Sequence, residues 1–161
     1  MICVMFVCYG NICRSPMAEF IFQRMVDDSP KLANRCTCTS SATSTEEIWH
    51  GIGNPVYPPA KAELAKHGIS CNGKRAVQIQ RSNYHDYDLF IVMDQNNLRN
   101  LMRIFGNDPD GKIHKLLEFT DAPRDVADPW YSDRFDIAYQ DIERGCRGLI
   151  AYLEENLEEY I

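Results

Sequence analysis

No apolar run in this chain is long enough to span a membrane, and no basic segment precedes the short apolar run at its N-terminus. We therefore expect neither a membrane-crossing helix nor a signal peptide. Positive charge is in short supply: 17 Lys and Arg stand against 23 Asp and Glu, a net charge of −6. Nucleic-acid binding, which needs a basic footprint, is not expected. The glycine motifs of nucleotide chemistry, G-x-G-x-x-G and G-K-[ST], do not occur. Cysteines number seven, odd and irregularly spaced, and do not read as a disulfide framework. Reduced thiols in a cytoplasmic protein fit them better. What is present is 161 residues, 45% hydrophobic and 25% charged, ordinary for a single domain spanning 1–161 with a full core.

The stretch that organises the chain is Val7-Cys8-Tyr9-Gly10-Asn11-Ile12-Cys13-Arg14-Ser15-Pro16. Ile2 to Val7, rich in β-branched and aromatic residues, reads as a buried strand. Met17 to Val26 reads as a helix, with Ser15 suited to its N-cap and Pro16 to its first turn. At such a strand–loop–helix joint, loop amides and the helix N-terminus converge and favour an anion. A free thiol has pKa ~8.5, and neighbouring amides and a guanidinium lower it, so Cys8 is a candidate nucleophile. Arg14 can grip two phosphoryl oxygens through its planar fork. Ser15 can hydrogen-bond the sulfur and help it leave. Gly10 is expected to supply a positive φ, and Asn11 to tolerate a left-handed conformation while tying the loop internally.

The run Cys8 to Pro16 resembles the signature loop of the low-molecular-weight protein tyrosine phosphatases. The resemblance extends over essentially the whole chain. It implies an α/β domain with a four-stranded parallel sheet, order 2-1-3-4, and helices on both faces. Tyr9, Gly10, Asn11, Ile12, Cys13 and Ser15 then form the phosphate-binding loop around Cys8 and Arg14. The family carries a cysteine at the place of Cys13, which implies that an oxidised Cys8 can be captured as a disulfide. A serine in the position of Ser40 supports the loop asparagine, here Asn11; so does a histidine in the His-Gly-Ile context of His67. The loop Thr45 to Pro55 flanks the crevice in the family and carries a residue that touches the substrate ring, for which Trp49 is the candidate.

Further strands are read at Arg35–Ser40, at the almost wholly apolar Asp88–Met93 and at Ile113–Leu117. Helices are read at 58–69, with His67 and Gly68 at its end, and after Asp94, which suits an N-cap. The last helix is read from about Asp133 to Tyr160, with Phe135, Tyr139, Ile142, Cys146, Leu149, Leu153 and Leu157 as its buried stripe. Ahead of it lies Val126-Ala127-Asp128-Pro129-Trp130-Tyr131. A phosphotyrosine leaves as a phenolate whose conjugate acid has pKa ~10, so a proton from a carboxylic acid speeds its departure. The family's Asp-Pro-aromatic loop supplies that acid, and Asp128-Pro129 matches it. Asp121 and Asp125 lack the Pro-aromatic context. Trp130 and Tyr131 can wall the crevice.

Other readings compete. Cys8, Cys13, Cys36 and Cys38 have a spacing possible for zinc, but Arg14 and the helix dipole attract anions, so no metal and no cofactor is expected. Arsenate reductases of this fold use a distal cysteine relay; Cys71 is the only candidate partner, and no second cysteine accompanies it. A non-catalytic phospho-binding module would lack the nucleophile or the acid, and both are present. The expected enzyme is a monomeric cysteine-dependent phosphatase acting on phosphotyrosine proteins through a phosphocysteine. Relatives that hydrolyse phosphoarginine carry threonine in place of Ile12. An apolar wall at Ile12 suits a phenyl ring instead.

Overall fold

A computed structural model describes residues 1–161. β1 (Ile2–Cys8) alternates its side chains between two cores, as a central strand must. Ile2, Val4, Phe6 and Cys8 face one core, Met5 and Val7 the other. After β1 comes α1 (Arg14–Asp28), and β2 (Cys36–Ala42) returns parallel to β1, with Ile2 opposite Cys36 and Cys8 opposite Ala42. A two-stranded hairpin follows, β3 (Ile48–Trp49) and β4 (Ile52–Gly53), then α2 (Pro58–Lys66). β5 (Leu89–Val92) lies parallel on the other side of β1, and β6 (Ile113–Lys115) pairs parallel with β5. The sheet order is β2-β1-β5-β6, which is 2-1-3-4 for its four strands.

Helices cover both faces. α1 packs on one side, together with α2 and α5 (Phe135–Glu155), around Phe6, Phe22, Leu64, Ile142 and Leu149. On the other, Leu101 and Phe105 of α3 (Gln95–Phe105) and Tyr84 close over Val7, Phe90 and Val92. Asp94 caps α3 as expected, accepting from the Asn97 amide at 2.8 Å.

The last helix is not continuous. A short α4 (Pro129–Ser132) ends where Asp133 turns left-handed at φ 58°. α5 then stops at Asn156, and α6 (Leu157–Tyr160) completes the chain. The Asn156 side chain donates to the Tyr152 carbonyl at 2.8 Å, the local bond by which asparagine interrupts a helix. The anticipated stripe is buried from Phe135 to Leu153, whereas Leu157, beyond the break, is half-buried. All seven cysteines are free, and no helix is long and apolar enough to cross a membrane.

Candidate active site

At the carboxyl end of β1 the chain leaves the sheet and turns through Tyr9–Cys13 into α1. The helix begins at Arg14, and no side chain caps it. Ser15, the expected cap, is instead fully buried in the first turn, with its Oγ 2.9 Å from Cys8 Sγ. The positive φ belongs to Asn11 (59°) and not to Gly10. Gly10 lies close to the neighbouring loop: a Cβ there would sit 3.3 Å from the Glu47 side chain, a tight approach that Glu47 would have to yield to.

Asn11 is 1% exposed and fully bonded. Its amide donates to Cys8 Sγ at 3.3 Å, its Nδ2 to Ser15 Oγ at 2.8 Å and Ser40 Oγ at 2.9 Å, and its Oδ1 accepts from the Val77 amide at 3.1 Å. In contrast, the amides of Gly10, Ile12, Cys13, Arg14 and Ser15 donate to no group of the protein. Together with the uncapped helix end they form a cup of free donors around Cys8, an arrangement chemically suited to an oxyanion.

Arg14 closes the cup. It is 4% exposed, with Nη1 donating to the Val126 carbonyl at 2.7 Å and Nη2 to Asp94 Oδ2 at 2.8 Å. Burial pulls its pKa down, but Cys8, Asp94 and Asp128 more than offset this, and the net shift is upward. With two of its five N–H groups committed, the fork is aimed and still has donors to spare. Val126 is clamped from both sides, since its amide donates to Met93 at the end of β5. Two residues on, Asp128 caps α4 through the Trp130 amide (3.0 Å) and lies 3.6 Å from Arg14 Nη2. Upstream, Arg124 grips the buried Asp141 of α5 with two bonds of 2.9 and 2.7 Å, so the segment leading to Asp128 is fastened at two points, Arg124 and Val126.

A crevice leads to Cys8, lined by the loop residues, Asp128, Trp130 and Tyr131, and by Glu46 and Glu47. Cys13 lies within it, half-buried, and burial first, then the neighbouring Cys8, push its thiol far up. Trp130 leans on Tyr57 with ring centroids 5.1 Å apart, while Tyr131 stands 87% exposed at the mouth.

Two expectations are corrected. Trp49 does not line the crevice; it is 67% exposed. His50 and Gly51 both take positive φ, 50° and 77°, the signature of a tight hairpin turn, and Trp49 pairs with Ile52 at its tip. His67 does not support Asn11. Its Nε2 lies 3.2 Å from Glu63, and its ring stacks on Tyr139 of α5 at 3.7 Å. Asn11 instead donates to Ser40 and accepts from the Val77 amide. Sequence reading saw Asp94 only as a helix cap; its hold on Arg14 and the placement of Glu46 and Glu47 had no local signal.

The family model of the low molecular weight phosphotyrosine protein phosphatases matches residues 3–159. The chain belongs to that family. It is 36% identical over 157 residues to the low molecular weight protein-tyrosine-phosphatase YfkJ of Bacillus subtilis, covering 96% of this chain and 97% of that one. With the low molecular weight phosphotyrosine protein phosphatase of Gallus gallus it shares 37% identity, covering 94% of each. The crystal structure of the Streptococcus pyogenes enzyme SP-PTP superposes with a TM-score of 0.83 at 34% identity over all of both chains. Membership makes this protein a phosphatase of the hydrolase class, and phosphoproteins the class of its substrates.

Proposed function

We propose that this enzyme hydrolyses phosphotyrosine in two steps at Cys8. The cup of unbonded amides around a buried thiol, closed by an aimed arginine, carries this reading. The Cys8 thiolate attacks phosphorus while Arg14 and the amides hold the equatorial oxygens. The bond to the phenolic oxygen breaks, and Asp128 gives that oxygen a proton. Water then attacks the phosphocysteine, losing its proton to Asp128, and the thiolate leaves with a hydrogen bond from Ser15. Arg14 and the amides supply the electrostatic stabilisation that metal ions give in other phosphoryl-transfer enzymes. The crevice is complete within one chain, in keeping with a monomer, and seven free cysteines suit a reducing cytoplasm.

Ile12, Trp130 and Tyr131 favour an aromatic substrate. Ring contacts contribute ~1 kcal/mol each, so the preference is large without being absolute. On matched peptides without added metal, kcat/KM should fall from phosphotyrosine to phosphoarginine and phosphoserine. Ile12→Thr should move the ratio toward phosphoarginine. Ile12 is only 9% exposed, so that change also costs stability, about 1–2 kcal/mol. A parent enzyme that prefers phosphoarginine, or a ratio unmoved by Ile12→Thr, would overturn the selectivity.

A further inference from the structure

Behind the cup, a line of hydrogen bonds runs from Cys8 to a mostly buried ion pair that the chemistry above does not use. Ser15 Oγ contacts Cys8 Sγ, Asn11 Nδ2 bridges Ser15 and Ser40, and Ser40 Oγ donates to Glu19 Oε1 at 2.6 Å. Lys74 Nζ lies 3.1 Å from the same Glu19 oxygen and donates to the Ser40 carbonyl at 2.9 Å. The side chains of Lys74 and Glu19 are 11% and 15% exposed.

We infer that Lys74 and Glu19 are positioning residues that set the direction of this line, so that Ser15 is obliged to donate to the Cys8 sulfur; the inference rests on Cys8 being the nucleophile. A hydroxyl has one hydrogen to give. Ser40 spends its hydrogen on the Glu19 carboxylate and turns a lone pair to Asn11. The Asn11 amide group must therefore present its NH2 to Ser40, and its other hydrogen reaches Ser15 Oγ. Its oxygen faces the Val77 amide, a donor, which selects the same orientation. Ser15 already accepts from Asn11, so its own hydrogen is left for Cys8. Lys74 pairs with the same Glu19 oxygen at 3.1 Å, and a charge-assisted bond is the strongest link in the line.

Lys74 is held to this task by the backbone. It opens an extended segment whose Ala76 amide donates to Asn54 and whose Val77 amide holds Asn11. The segment lies so close to β4 that a Cβ on Gly53 would sit 1.9 Å from the Ala76 carbonyl oxygen. Without Lys74, the Glu19 carboxylate loses the charged partner that fixes it against Ser40, and the line is no longer held in one direction.

The test compares the parent with Lys74→Met, Glu19→Gln and the double variant, with Asp108→Ala as a destabilised control remote from the cup. Two quantities are read: kcat and KM on phenyl phosphate, and the rate at which iodoacetate alkylates Cys8 at pH 6. We expect kcat and alkylation to fall together by about tenfold in each single variant, with KM changed less and with the double variant no worse than the poorer single. Lys74→Arg should recover most of both rates. If alkylation falls but even the parent fails to turn over phenyl phosphate, this inference stands and the proposed function does not. Rates within twofold of the parent, or a fall in kcat without a fall in alkylation, would overturn the inference.

Discussion

In the proposed mechanism Asp128 has one task that separates it from every other carboxylate near the crevice: it delivers a proton to the leaving oxygen. A phenol of pKa ~10 needs that proton, whereas an acidic nitrophenol departs without it. Asp128→Asn should therefore slow phenyl phosphate by about 10²–10³-fold and an activated aryl phosphate far less. Equal slowing of both would exclude Asp128 as the donor and direct attention to Asp125. Cys13 tests a second chemistry at the same scale. Peroxide is expected to oxidise Cys8 to a sulfenic acid, releasing water; attack by the Cys13 sulfur would then form the disulfide and release a second water. Burial holds the Cys13 thiol well above its usual range, so little thiolate is present near neutrality. Disulfide capture should accelerate about tenfold per pH unit through the alkaline range. Peptide mapping after a brief peroxide pulse reads the Cys8–Cys13 link, and a pH-independent yield would contradict this account.

Between residue and molecule, the elements differ in how they are held. The turn before β6 is organised by Asp108, which accepts from the amides of Lys112 (2.8 Å) and Ile113 (3.1 Å) and from the Tyr84 hydroxyl. Burial raises its pKa, but these bonds outweigh burial and leave the carboxyl below its usual 3.8. A depressed carboxylate stabilises the fold fully above that ordinary value, and the contribution disappears as pH falls through the folded-state value. Asp108→Ala should cost about 1–2 kcal/mol at pH 7, less as pH drops below 4. Urea unfolding across pH 3–7 would show the gap to the parent closing; a constant gap would contradict the assignment. The same scale explains what could be read from the chain and what could not. The elements around Cys8 were legible because strand, loop and helix are contiguous in the chain. The long terminal helix was read through Asn156 because its apolar spacing continues past the break, and nothing in that spacing reports a side chain bonding the Tyr152 carbonyl. His67 was misplaced because its local context does not say which face of α2 meets Tyr139 on α5. His50-Gly51 did carry a turn signal, and with it Trp49 would have been assigned to a hairpin tip.

For the molecule as a whole, the parallel sheet gathers at its carboxyl edge what the chain keeps far apart. Cys8 ends β1, Asp94 follows β5, and Val126 is tied to Met93 just beyond the same strand. Arg14 touches both Asp94 and Val126, so one side chain joins the Cys8 loop to the segment that carries Asp128. This is the position where open α/β sheets hold their ligands. Contacts spanning 80 and 112 residues cannot be read from sequence spacing, although the residues that make them lie within familiar local patterns. The claim on which everything else depends is that phosphate is bound by the cup but broken by Cys8. Cys8→Ser separates the two most directly, because it leaves Arg14 and the free amides untouched. The account predicts that phosphate still protects the fold of the variant against heat, while turnover of aryl phosphates disappears and no phosphoenzyme is trapped by rapid acid quench. Substantial turnover by Cys8→Ser, or a parent enzyme that turns over without any acid-trapped phosphocysteine, would contradict it.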